Sequence, residues 1–260
     1  MQAIIKVRVR LMNSVKMLKL CTAAGAAIAM TACATPPYVP TVYDASTANV
    51  KTIALADDSM PEKMGANELA SAMGTGQAAG GLIGLLVVAA MEGAETSSRV
   101  GKLNEMMEPL NFDYETEFET ILQTKLSEAG YGDVDVVGGA RKKMAPLTVK
   151  TLPETTADAV LDVSMVSFGV QKAVTGQEWR PAAGVKVQLL GAAEGNVLME
   201  NMISYNSGVL NITETEGFIT MEPSAESVGY LKIKEMDPEV VRDETRVMLN
   251  DIADMIITLL

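Results

Sequence analysis

The alternation of apolar and polar positions divides the chain into a short apolar leader, a helical first half and a strand-rich second half. The clearest helical pattern closes the chain. Val241, Thr245, Met248, Ile252, Ile256 and Leu259 form an apolar stripe at helical spacing. Asp237-Pro238 ahead of it is a capping residue followed by proline at the first helical position. A second helix is predicted after Asp113, with Phe118, Leu122 and Leu126 four residues apart and Ile121 and Lys125 alongside. Its acidic residues, Glu115, Glu117 and Glu119, load the N-terminal turns, where the helix dipole favours them, and read as a solvated face. Gly130 ends it as the residue after the cap. Period-two alternation marks DAVLDVSMVSFGVQKA (158–173), with Val160, Asp162, Ser164, Val166 and Phe168 on one face and Leu161, Val163, Met165 and Ser167 on the other. GVKVQLLG (184–191) and VLMENMISY (197–205) flank a turn at 192–196 and read as a hairpin, with Trp179 just before it. Shorter strands are expected in VKTIALADD, which ends on Asp57-Asp58, in DVDVV (133–137) and in YLKIK (230–234). Residues 60–108 read as helical. The fold class is α/β, with α+β as the alternative: a mixed sheet with helices packed on it and an amphipathic C-terminal helix.

The leader changes what the rest of the chain is for. MNSVKMLKLCTAAGAAIAMTAC (12–33) has Lys16 and Lys19, a short apolar run, then Met30-Thr31-Ala32-Cys33. It resembles the export signal of a bacterial lipoprotein, in which Cys33 is kept and lipidated. The apolar run is about 11–14 residues, short of the roughly 20 that a spanning helix needs. The resemblance implies removal of 1–32, a diacylglyceryl thioether on Cys33, usually with palmitate or a similar chain on the amine, and attachment to the membrane by those chains. Ala34, in place of Asp, favours the outer membrane by the enterobacterial sorting rule. Residues 33–48, with Pro36, Pro37 and Pro40, read as a tether, and 49–260 as one periplasmic domain.

Composition then excludes several functions. Loss of 1–32 removes five of the 21 Lys and Arg and none of the 33 Asp and Glu, leaving a formal charge of −17. Such a surface does not replace counterions on phosphates, so nucleic acid is not an expected partner. The chain has no histidine, which removes Ser-His-Asp and Cys-His catalysis and imidazole-bound zinc. Cys21 leaves with the signal, so the mature chain has no pair of thiols to join. The 18 methionines raise a copper question, because thioethers suit Cu(I). Met60/Met64, Met106/Met107 and Met199/Met202 are scattered, and core filling is the expected role. Asp57-Asp58 reads as a turn and cap or as a cation-binding pair. Arg141-Lys142-Lys143 is the basic cluster of the mature part and reads as exposed loop charge. Trp179 reads as core, edge cover or a partner hot spot.

Residues 78–91, AAGGLIGLLVVAAM, carry no charge, and Gly76, Gly80 and Gly84 fall on one helix face. At 1.5 Å per residue the run spans about 21 Å, short of a bilayer core near 30 Å. It reads as a buried helix, as an oligomer or membrane-surface contact through those glycines, or as an insertion.

The layout of a strand ending in Asp, a helix closing in L-x-x-x-L-x-x-x-GY, then DVDVV, DAVLDVSMVSFG and a wide hairpin resembles a periplasmic α/β domain found in several bacterial lipoproteins. That group includes curli-secretion channel subunits, lipoprotein activators of penicillin-binding proteins and the N-terminal domain of the Tol-system β-propeller protein. The resemblance covers about residues 50–205. The expected function is a non-enzymatic binding or assembly module of the envelope. It is anchored by lipid to the outer membrane, faces the periplasm, needs no cofactor or metal, and engages an envelope protein or itself. Two other readings stand beside it. One is an oligomeric secretion or membrane-associated subunit using 74–91. The other is a carboxylate-dependent cell-wall glycan hydrolase, for which Asp57, Asp58 and Asp162 are candidates and which needs two carboxyl groups about 5–9.5 Å apart.

Overall fold

A computed structural model describes residues 39–68, 94–138, 141, 144–172, 178–206, 218–225 and 228–260. The signal, Cys33, Gly76, Gly80, Gly84 and the rest of 74–91 lie outside the described residues.

In order, the described elements are α1 (Ala45–Ala48), β1 (Ile53–Ala56), β2 (Gly65–Glu68), α2 (Ala94–Met107), α3 (Tyr114–Glu128), β3 (Val136–Val137), β4 (Ala159–Lys172), β5 (Trp179–Gly191), β6 (Val197–Tyr205), β7 (Ile219–Met221) and α4 (Pro238–Leu259). The strands form a mixed seven-stranded sheet of order β3-β1-β4-β5-β6-β7, with β2 also paired to β4. The α/β class expected from the sequence is the one observed. β4 organises the sheet. Its whole length pairs antiparallel with β5, while its other edge takes β1 at Ala159–Leu161 and β2 at Gly169–Lys172, both parallel.

The three long helices cover one face of the sheet. Leu161, Val163, Met165, Val185, Val187 and Leu189 point into that core and are each 0 % exposed. They meet Phe118, Leu122 and Leu126 of α3 and the full predicted stripe of α4, all buried. Both helices start as the sequence predicts. Asp113 accepts from the amides of Glu115 and Thr116, and Asp237 from that of Glu239 with Pro238 behind it. Gly130 follows α3 at φ +96°, a conformation that favours glycine. The two helices are tied by Lys125–Asp254 at 2.5 Å and Arg246–Glu117 at 2.9 Å.

Four expectations are corrected. Residues 65–68 are strand, not helix: Gly-Ala-Asn-Glu has little strand propensity of its own and is ordered by pairing with β4. The register of β4 shifts between Met165 and Ser167, so Phe168 joins the helix-side core with Leu161 and Met165 instead of facing away with Val160. YLKIK is not a strand. Tyr230 makes one bridge to Trp179, and Ile233–Glu235 is a 3-10 turn that buries Ile233 and Met236. Trp179 does not precede the hairpin but begins β5, in the core at 5 % exposure.

The segment read as a tether enters the fold before its expected end. Thr41 donates its amide to Asn201 Oδ1 at 2.8 Å, and its carbonyl accepts from Asn201 Nδ2 at 2.7 Å. Tyr43 is 7 % exposed, and its amide donates to the Leu259 carbonyl at 2.8 Å.

Candidate functional site at the end of β1

The carboxylates singled out from the sequence meet where β1 stops. Beyond Ala56 the ladder to β3 continues one residue, Asp57 N–H donating to Val137 C=O at 3.0 Å. Asp58 then takes φ +58°, and its amide folds back onto Asp57 Oδ1 at 2.6 Å. Asp58 is held in this left-handed turn by the Asp57 carboxylate, which takes the place of a backbone partner for its amide. The chain therefore leaves the sheet and runs under the first turns of α3. There Met60 N–H donates to Glu115 Oε1 at 3.1 Å. Four residues later Asn104 of α2 clasps Met64, accepting from its amide at 3.0 Å and donating to its carbonyl at 2.9 Å. Residues 57–64 are thus a strap held by side chains from two helices.

One oxygen from each of Asp57, Asp58 and Glu115 falls within 4.8 Å of the others. Two of the three residues already accept amides of the strap, so the cluster serves local architecture. Glu119, one helical turn beyond Glu115, is half-buried beside it, and its Oε1 is buried with no hydrogen-bond partner. Burial is the main force pushing its carboxyl up to about 7, followed by the Asp57 and Glu115 charges, a hydrogen bond with Asp57 and the Asp113 charge.

Under the strap lies an ion pair that the sequence does not disclose. Arg141 Nη1 bonds Asp162 Oδ1, and Nη2 bonds the Asp57 carbonyl. The second oxygen of Asp162 accepts from Leu147 N–H at 2.6 Å. The two side chains are 2 % and 1 % exposed. Arg141 was expected as exposed loop charge and Asp162 as a surface or catalytic carboxylate. Both are instead committed to joining the 141–147 loop, β4 and the end of β1. A buried guanidinium with a planar fork suits that three-way junction. Alternation alone cannot find the pair, since Arg141 lies in an irregular loop. The signal that was present is an Asp inside a strand of otherwise buried character.

Among the described residues, one cleft lies at the start of α3 and one pocket along the strap. A cleft of about 290 Å³ between α2 and α3 is lined by Asn104, Glu108, Asn111, Phe112, Asp113 and Tyr114. Burial pushes the Tyr114 hydroxyl up to about 12, so it stays a neutral donor. An apolar pocket of about 180 Å³ on the other side of the strap is lined by Lys63, Met64, Val100, Met144, Met165 and Phe168. Neither is lined by Asp57, Asp58, Glu115 or Glu119. Met60, Met64, Met107 and Met199 are buried in the core, where core filling was the expected role. Trp179 is core, with Arg99 5.8 Å above its ring. No helix among the described residues is long and apolar enough to cross a membrane.

No family model matches this chain, and no curated protein matches it. Among solved structures, a Xanthomonas campestris protein of family model DUF330 is similar at 11 % identity and a TM-score of 0.30, over 55 % of this chain and 58 % of that one. A likeness of that size carries no argument about fold or function.

Proposed function

We propose that this chain is a lipid-anchored envelope protein acting as a non-enzymatic binding or assembly module on the periplasmic side of the outer membrane. The observation that carries this reading is the combination of Met30-Thr31-Ala32-Cys33 with the early fastening of the chain to its domain. Thr41 is clasped by Asn201 and lies only eight positions after Cys33. Extended, that length reaches at most about 28 Å. Acyl chains on Cys33 thus hold the domain against the membrane surface, while its negative charge keeps it from lying on anionic headgroups. The non-enzymatic part is supported by the use of the polar groups: the carboxylates of Asp57, Glu115 and Asp162 are spent on backbone amides and on Arg141. Palmitate labelling and membrane fractionation test the reading. Wild-type chain is expected to label and sediment with outer membrane. Cys33→Ser is expected to lose label and accumulate as a longer, unprocessed precursor. Label that survives in Cys33→Ser, or wild-type chain free of the membrane, overturns it.

A further inference from the structure

Among the described residues, the edge of β4 that faces away from β5 is paired at its two ends, with β1 at Ala159–Leu161 and with β2 at Gly169–Lys172. Between them the edge meets the strap 57–64, with Met165 N–H donating to Ser59 C=O at 2.9 Å. The register shift between Met165 and Ser167 falls in this gap. A regular strand sends alternate side chains to opposite faces, and an irregularity of this kind re-aims them. Here the consecutive residues Met165, Val166, Ser167 and Phe168 all line one apolar pocket of about 180 Å³. Met144 joins the lining from the 141–147 loop, held at φ +61° with its amide on the Asp58 carbonyl at 2.9 Å. That backbone conformation is unfavourable for a residue with a Cβ, so the loop is fixed there by its contacts.

The interior of this pocket is soft and apolar, and its mouth is cationic. Met64 and Met165 are 0 % exposed and Phe168 4 %, while Val166 is half-buried and Lys63 exposed, which marks the open side. Lys63 lines the pocket with its stem and keeps its ammonium in water. It makes no ion pair or hydrogen bond among the described residues, although the chain is strongly acidic. Thioether side chains adapt to the shape of what they enclose. The volume falls below the roughly 300 Å³ at which pockets for drug-sized ligands begin, and it matches about six waters at roughly 30 Å³ each. We propose that this pocket binds a short aliphatic carboxylate of about five to seven carbons, with its chain among Met64, Met144, Met165 and Phe168 and its carboxylate on Lys63. The cation selects the head and the volume limits the tail. The site is built from the domain and rests neither on lipidation nor on the envelope reading, so each can fail without the other.

The test is a titration of the full chain, labelled with carbon-13 at the methionine methyls, with straight-chain carboxylates from butanoate to decanoate. Hexanoate is expected to shift the Met64, Met144 and Met165 signals saturably and to leave Met199 and Met248, buried elsewhere in the core, in place. Binding should tighten about fourfold per added methylene up to about heptanoate and level off beyond it. Hexan-1-ol and hexylammonium, which match the tail without the negative head, should bind more weakly than hexanoate. Lys63→Gln, at an exposed position, should weaken hexanoate about two- to fivefold and leave hexan-1-ol unchanged. Shifts that are absent from the three methyls or shared equally with Met199 and Met248 overturn the site. So does tightening that continues through decanoate, equal binding of the acid and the alcohol, or hexanoate binding untouched by Lys63→Gln. The wild-type comparison of hexanoate with hexan-1-ol decides the matter even where the variant fails to fold.

Discussion

The two faces of the sheet are built on different physics. On the helix side, alternate residues of β4, β5 and β6 are covered and, Asn201 apart, largely apolar, and α3 and α4 answer them with stripes of their own. On the other side, alternate positions hold Asp162, Ser164, Lys186, Gln188, Glu200 and Ser204, and the apolar contribution shrinks to a patch of Ala56, Leu147, Val160 and Leu190. The first face is stabilised by area removed from water, a non-directional term spread over many side chains. The second depends on a few directed contacts, chief among them one guanidinium. A face of the first kind degrades by increments when residues are changed. A face of the second kind fails at one residue.

The largest loss is therefore expected at Arg141. Arg141→Ala leaves Asp162 charged, 1 % exposed and short of its ion-pair partner. Denaturant unfolding should show a loss of about 3–5 kcal/mol. Replacing both members by apolar residues of similar volume should recover much of that, because the penalty belongs to the orphaned charge and not to the missing pair. A core truncation on the helix side comes next. Ile252→Ala, at a fully buried position, should lower stability by about 2–5 kcal/mol with the unfolding slope unchanged. A harmless Arg141→Ala, or a double apolar replacement that recovers none of its loss, would erase the distinction between the faces.

A smaller, pH-gated effect is expected at the strand end. Glu119 has its folded-state carboxyl raised from 4.5 to about 7, so its contribution to stability is fully present below 4.5 and is lost as pH rises through 7. Subtracting the melting profile of Glu119→Gln from that of wild type should expose this slope between those two values. The smallest effect belongs to the exposed Lys186–Glu200 pair at 3.2 Å, with side chains 25 % and 48 % exposed. Glu200→Gln should change stability by less than about 1 kcal/mol, and added salt should shrink the difference further.

The same contrast explains what could be read from the sequence. Features governed by local chemistry were legible. Asp113 and Asp237 announce their helices by side-chain capping, Gly130 ends one by its left-handed backbone, and the stripe from Val241 to Leu259 needs only the period of a helix. β6 was legible to the residue, because a turn at 192–196 bounds its start and Met199, Ile203 and Tyr205 mark its buried face. Features set by distant partners were not. β2 exists because Gly65 lies on Gly169, where an added Cβ would meet Gly65 O at 2.2 Å. The turn of Phe168 towards the helices follows from one irregular residue in β4, which inverts every position after it. Of the candidate site, Asp57-Asp58 was legible as a turn at a strand end. The burial of Arg141 and Asp162 was not, since nothing local tells a loop arginine that a strand carboxylate lies 21 positions away. Glu119 was assigned to a solvated helix face. Its neighbours were correctly placed on α3, but the approach of the strap from β1 is a tertiary fact.

The most direct test of the proposed function is the mass of the N-terminal peptide of the chain purified from its native membranes. Lipidation at the envelope predicts a chain that begins at Cys33 and carries a thioether-linked diacylglyceryl group, with or without an acylated amine. A chain that retains residues before Cys33, or that begins there with an unmodified thiol, would contradict it.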